Sequence, residues 1–236
     1  MKLLYVNGDS HTAAAEAVNA HAFAEDDSNY WMFGRSPHPD NFKVSWANQL
    51  ASALGVDLHC GAESASSNSR ILRTTREWLT HASNTNDLII IQWSTWEREE
   101  WLIDDVYYQI TASGTDDVPS DHQPRYKEYI ADVDWQQVAQ HAHDDIWQFH
   151  LELLQQQTPH VFFNGNTSFD TIVERKDWDN SYIDPYISEG TFNQRLRNAG
   201  FDTVNPKSWH FGAAAHCFWA QSMLQYITQK FRHLPQ

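Results

Sequence analysis

The chain has 236 residues, a length that suits one α/β domain spanning 1–236. Hydrophobic residues make up 41% and aromatics 14%, with 11 Trp, which argues against disorder of the whole chain. A net charge of −15 without a basic stripe argues against nucleic acid and against an anionic membrane surface as partners, and suits a neutral or cationic ligand.

Leu3 to Val6 is a short apolar run stopped by Asn7-Gly8-Asp9, which predicts a buried strand entering a loop. Residues 13–44 lack periodicity and form a first expected insertion. Ser45 is placed to cap a helix through Trp46, Leu50 and Leu54 that stops at Gly55. Val56 to Cys60 predicts a second strand, and Asn68 to Ala82 a helix with Ile71, Leu72, Thr75, Trp78 and Leu79 on its apolar side. Asp87 to Trp93 is apolar on both faces, as a central parallel strand is.

Residues 98–134 read as a second, polar insertion with some helix, and the run Glu97-Arg98-Glu99-Glu100 as surface. Trp135 to Gln156 has helical spacing, His160 to Phe163 predicts a fourth strand, Thr191 to Asn198 a short helix, and Phe211 to Lys230 the last helix. This alternation predicts a three-layer α/β sandwich around a mostly parallel, flavodoxin-like sheet. Ligands of such sheets bind beyond the carboxyl ends of the strands, so the loops after Val6, Cys60 and Trp93 are the places to look.

Ser10 stands in the first of these loops, where its hydroxyl can face the cleft and backbone N–H groups can hold an oxyanion. A serine hydroxyl needs a base. The segment Trp209 to Ala220 offers His210, just before the last helix, and His216, which at ~100° per residue faces another side of it. His210 is the candidate base and His216 a packed histidine. Cys60 and Cys217 read as reduced thiols. In the segment His141-Ala142-His143-Asp144-Asp145, His141 and Asp145 share a helix face at i, i+4 as metal ligands can, but the segment reads better as a solvated helix face, so no metal or other cofactor is expected.

Four segments together resemble the SGNH (GDSL) hydrolase superfamily, in particular uncharacterised bacterial and phage members. They are Gly8-Asp9-Ser10-His11-Thr12, Ala65-Ser66-Ser67-Asn68-Ser69-Arg70-Ile71, Ile91-Gln92-Trp93-Ser94-Thr95, and the block around His210. The resemblance implies a serine hydrolase, an esterase or deacylase acting on a small-molecule or carbohydrate ester, with Ser10 as nucleophile and His210 as base. It implies oxyanion donors from Ser10, Ala65, Asn68 and Ser94, with Ala65 standing where the family has Gly, and Ser94 or Thr95 where it has Asn. The family's acid comes two or three residues before its His. Those positions here are Ser208 and Lys207, so the third member is sought in a backbone carbonyl or a more distant acid, Asp202 or Asp184, with a Ser–His dyad as the other arrangement.

The alternatives are a binding protein of the same fold with weakened catalysis, for a glycan or apolar ligand, and an acyltransferase. Tyr30, Trp31, Phe33, Trp101, Tyr107 and Tyr108 are candidates to roof the cleft. The N-terminus lacks the long apolar run of a secretory signal, which gives a cytoplasmic protein as the expectation.

Overall fold

The computed structural model describes residues 2–19, 26, 28–29, 35–82, 87–111 and 118–231. Its centre is strand β3 (Leu88–Trp93), whose six residues are all buried. Parallel to it run β1 (Leu3–Asn7) and β6 (His160–Asn164), with β2 (Asp57–Cys60) outside β1, giving the order β2-β1-β3-β6. Tyr182 adds a single parallel bridge to Phe162 on the outer side of β6.

Because side chains alternate across a strand, the same three strands feed two cores. Leu4, Val6, Leu88, Ile90, Val161 and Phe163 face one way. They pack against α2 (Trp46–Leu54), α6 (Phe192–Asn198) and α7 (Ala213–Lys230). Tyr5, Ile89, Ile91, Trp93 and Phe162 face the other way, against α3 (Asn68–Ala82) and α5 (Trp135–Gln155). Each such side chain removed from water contributes about 1.5–3 kcal/mol, so covering both faces is what selects the three-layer, mostly parallel α/β fold predicted from the sequence.

The helix ends follow their local chemistry. Ser45 Oγ accepts from Asn48 N–H at the start of α2, and Gly55 closes it with φ 67°. Asp134 caps α5 by accepting from Gln136 and Gln137 N–H. His216, fully buried in α7, accepts from Trp46 N–H through Nδ1 (3.3 Å) and so supports the start of α2. Burial pushes its pKa down to about 3, which keeps the ring a neutral acceptor. A short helix α1 (Pro39–Lys43) precedes α2.

The region expected to be an insertion with some helix contains an antiparallel hairpin the sequence reading lacked, β4 (Glu99–Ile103) and β5 (Val106–Ile110). Its turn is Asp104-Asp105, with φ of 50° and 63°. Two successive left-handed residues match a primed two-residue turn, for which Asp is a less telling signature than Asn-Gly or Asp-Gly. Trp101, Ile103 and Ile110 form a separate small core with Val118 and with Tyr126 of α4 (Gln123–Asp132). Trp101 is therefore not a roof over the strand ends, and Tyr107 lies under the Arg73 guanidinium of α3 at 3.9 Å. Tyr30, Trp31 and Phe33 fall outside the described residues. Among the described residues no helix is long and apolar enough to cross a membrane, and no cluster of three or more His, Cys, Asp or Glu could hold a metal ion.

Candidate active site

The turn after β1 is fastened from below by one buried side chain. Gln92, on β3, accepts from Asp9 N–H (3.1 Å) and from the Thr12 hydroxyl (3.1 Å), and its own amide donates to Trp93 O (3.0 Å). Two glycines make room for it. A Cβ at Gly8 would lie 2.7 Å from Gln92 Oε1, and one at Gly165 would lie 2.4 Å from Gln92 Nε2. Asn7 closes the strand end by accepting from Gly8 N–H (2.8 Å) and donating to Thr74 and Thr75 of α3. Ser10 thus rises from a turn tied to β1, β3 and α3.

Asp9 Oδ1 accepts from His11 N–H, and Asp9 Oδ2 accepts from the Ser94 hydroxyl (2.9 Å) and from Arg98 Nη1 (3.0 Å). Burial alone would push this carboxyl up. The neighbouring His11 and Arg98, with the hydrogen bonds from His11 N–H and Ser94, outweigh it and hold Asp9 below the usual carboxylate range. Arg98 was expected at the surface; instead it reaches back from the foot of the hairpin into the nucleophile turn. His11 places Nε2 3.1 Å from Asn166 Oδ1, and its ring lies edge-on to that of His210 at 5.5 Å. Burial lowers its pKa to about 4, against the pull of Asp9.

The structure brings Ser10 and His210 together: Ser10 Oγ lies 2.9 Å from His210 Nε2. The last helix starts two residues beyond Phe211, which is buried, and Val204 N–H donates to His210 O (2.9 Å), so backbone and core fix the imidazole. Its other nitrogen, Nδ1, lies 2.6 Å from Glu16 Oε2. Neither Asp184 nor Asp202 fills this position as expected; Asp184 pairs with Arg195 across the molecule's surface. Ser208, where the family's acid would stand, donates its hydroxyl to the same Glu16 Oε2 (2.6 Å) and accepts His210 N–H (2.9 Å). An ionised Glu16 only accepts, so Nδ1 carries the hydrogen and Nε2 presents its lone pair to the Ser10 hydroxyl.

Glu16 escaped sequence reasoning because it sits in an irregular loop 194 positions from its partner. Its backbone and that of Ala14 are left-handed, with φ of 61° and 56°, which gives no periodic signal. A lone acid six residues after the serine, flanked by Ala14, Ala15 and Ala17, is the only cue the sequence offers.

The expected oxyanion donors divide. Ser10 and Ala65 each keep a backbone N–H with no acceptor among the described residues. Glu63 N–H donates to Gly8 O (3.3 Å), bringing the 63–65 turn beside the strand end below Ser10. Arg70 braces that turn by donating to Gly61 O and Ser66 Oγ and pairing with Glu63 at 2.6 Å. Ala65 adopts φ 63°, a left-handed conformation that glycine takes without strain. Ser94, in contrast, has both of its donors engaged, while Asn68 gives one of its two amide hydrogens to Ser94. Ser94 N–H donates to Asn68 Oδ1 (2.8 Å), Asn68 Nδ2 donates to Ser94 O (3.2 Å), and the Ser94 hydroxyl hydrogen goes to Asp9. Ser94 has no donor left, and Asn68 acts as a clasp between α3 and the end of β3.

The α5 residues considered for a metal lie on different sides of the helix. His141 and Asp145 are exposed, whereas His143 is fully buried and shares a hydrogen bond with the Tyr186 hydroxyl (3.0 Å). Only part of that segment is the solvated face expected.

Comparison with solved structures finds an acetyl xylan esterase from the rumen bacterium Butyrivibrio proteoclasticus, at 15% identity and TM-score 0.44, covering 98% of this chain and 65% of the other. The chain thus spans just under two thirds of that enzyme's length. A carbohydrate esterase whose active site is described as having divergent catalytic and non-catalytic binding functions aligns at 12% identity and TM-score 0.49, covering 98% and 69%. A member of the lipolytic G-D-S-L family from Veillonella parvula aligns at 13% identity and TM-score 0.41, covering 99% and 100%. No curated protein matches the sequence. Residues 38–184, which carry Ala65, Asn68, Ser94 and Arg98, match the profile of one family, and over that majority of its length the chain belongs to the Family of unknown function (DUF6071).

Proposed function

We propose that the protein is a serine hydrolase of the SGNH type, working on ester bonds through Ser10, His210 and Glu16. The observation that carries this reading is the continuous relay Ser10 Oγ–His210 Nε2 at 2.9 Å and His210 Nδ1–Glu16 Oε2 at 2.6 Å. A hydroxyl, an imidazole and a carboxylate in hydrogen-bond sequence form a constellation recognised by geometry, whatever the order of the residues in the chain.

In this mechanism His210 Nε2 takes the Ser10 proton as Oγ adds to the ester carbonyl. Glu16 stabilises the imidazolium that results. The tetrahedral oxyanion sits against the N–H groups of Ser10 and Ala65, whose donors have no other acceptor among the described residues. His210 returns the proton to the leaving alcohol, which departs as the carbonyl re-forms on Ser10. A water, deprotonated by His210, then attacks the acyl-serine and releases the acid with Ser10 restored. An alcohol in place of that water gives acyl transfer by the same steps.

The net charge of −15 favours a neutral or cationic substrate over a polyanion, which suits a small-molecule or carbohydrate ester. The rival reading, a binding protein with weakened catalysis, rests on Ala65, Ser94 and Ser208 standing where the resemblance places Gly, Asn and Asp; of these, Glu16 beside His210 answers the third and supports the enzymatic reading.

A fluorophosphonate, which traps activated serines covalently, tests the proposal. The wild type is expected to be labelled at Ser10 and Ser10→Ala to remain unlabelled. Absence of labelling in the wild type, or equal labelling of Ser10→Ala, would overturn it.

A further inference from the structure

We propose that Asn41 is a positioning residue for the acid, acting on Ser10 only through Glu16 and His210. The inference rests on the reading of Ser10, His210 and Glu16 given above. Glu16 belongs to no helix or strand, and both it and Ala14 hold left-handed backbone, at φ 61° and 56°. Such residues cost of order 1–2 kcal/mol each and persist only where their surroundings impose them.

Side-chain burial does little of this work around Glu16. Ala13, Ala14, Ala15 and Ala17 are buried but small, and Val18 is 55% exposed. Hydrogen bonds hold the loop instead. On its near side Ala15 N–H donates to Ser10 O (2.9 Å), and Ala17 N–H to Ala14 O (3.1 Å). On its far side one oxygen receives two successive N–H groups: Asn41 Oδ1 accepts from Val18 (3.0 Å) and from Asn19 (2.8 Å).

Asn41 is suited to the role. It lies in α1, fully buried, with its carbonyl directed at the loop and both lone pairs of that oxygen used. A Cβ on Gly212 would lie 3.9 Å from Ala17 O, so the loop passes the start of α7 just after His210. The carboxylate therefore arrives at Nδ1 from a segment held at one end by Ser10 and at the other by Asn41. Withdrawing the Asn41 acceptor removes both of these hydrogen bonds and loosens the hold on the strained Glu16 backbone. A displacement of about 1 Å in a catalytic group costs up to roughly 100-fold in rate.

The test is the second-order rate of fluorophosphonate labelling at Ser10 for the wild type, Asn41→Ala, Asn41→Asp, Glu16→Gln and the Asn41→Ala/Glu16→Gln double variant. Asn41→Ala is expected to be labelled about 10- to 100-fold more slowly. Asn41→Asp, which accepts the same two N–H bonds, should stay within about threefold of wild type. In the Glu16→Gln background Asn41→Ala should cost nothing further, because its effect runs through the missing carboxylate. Asn41→Ser, too short to reach both amides, makes the same comparison if Asn41→Ala does not fold. Wild-type labelling by Asn41→Ala, or an equal slowing in both backgrounds, overturns the role of Asn41 and leaves the Ser10 reading intact. An unlabelled wild type overturns the Ser10 reading itself, and this inference with it.

Discussion

The two halves of the candidate site are built in different ways. The nucleophile turn is a product of the sheet: Gln92 of β3 holds Asp9 and Thr12, Asn7 of β1 holds Gly8, and Asn68 of α3 clasps Ser94. The base and acid come from two loops that hold each other, with Ser208 bonded to both His210 N–H and Glu16 and with Asn41 behind. In the first half, site geometry and folding stability share the same contacts. In the second they are separable, so damage should appear in different measurements.

Glu16→Gln should break the comparison most sharply. It keeps the shape and removes the charge that fixes the His210 tautomer, and loss of such an acid lowers turnover by about 10⁴ in a related triad. Labelling or ester turnover should fall by roughly that order, while the melting temperature stays within a degree or two. Adding Ser208→Asp puts a carboxylate where the family resemblance places one and should restore at least about tenfold of the loss. A full-activity Glu16→Gln enzyme would remove Glu16 from the relay.

Gly165→Ala addresses the other half. Its Cβ would lie 2.4 Å from Gln92 Nε2 and 3.3 Å from Trp93 O, so Gln92 must shift and loosen the nucleophile turn. Overpacking of this kind costs about 1–3 kcal/mol. Thermal unfolding should occur several degrees lower, with slower labelling alongside. An unchanged melting temperature would show that the turn does not depend on Gln92.

The smallest effect is expected at Ala65→Gly. The left-handed φ of 63° strains alanine, so glycine should stabilise the protein by about 1 kcal/mol and leave labelling within about threefold. Denaturant unfolding measures this directly, and destabilisation would argue against strain at Ala65.

The same division governs what the sequence makes legible. Leu88 to Ile91 announces a central strand because burial on both faces demands consecutive apolar residues. Ser10 follows from its place at a strand end, and His210 from its place before the last helix. Ser45 and Gly55 mark the bounds of α2 through capping chemistry that acts over a few residues. Glu16, Asn41 and Arg98 act across long separations from segments with no periodicity, so nothing local distinguishes them from surface polar residues. Ser94 misleads for the complementary reason: residue type suggests an oxyanion donor, and only the fold reveals that its N–H goes to Asn68 and its hydroxyl hydrogen to Asp9. The hairpin escaped because Asp104-Asp105 is a weak turn signature and the flanking Glu99 and Glu100 read as surface; Glu100 in fact binds Arg73 at 2.7 Å.

Glu16 lies six residues from Ser10, on the same loop. Where acid and base share a C-terminal segment, that segment must supply two groups at a fixed spacing. Here the N-terminal stretch carries the proposed nucleophile and acid as a single cassette, and the C-terminal stretch contributes an imidazole and the Ser208 hydroxyl. A change in the 208–210 segment therefore has one imidazole and one hydroxyl to preserve, and leaves the spacing of serine to acid untouched.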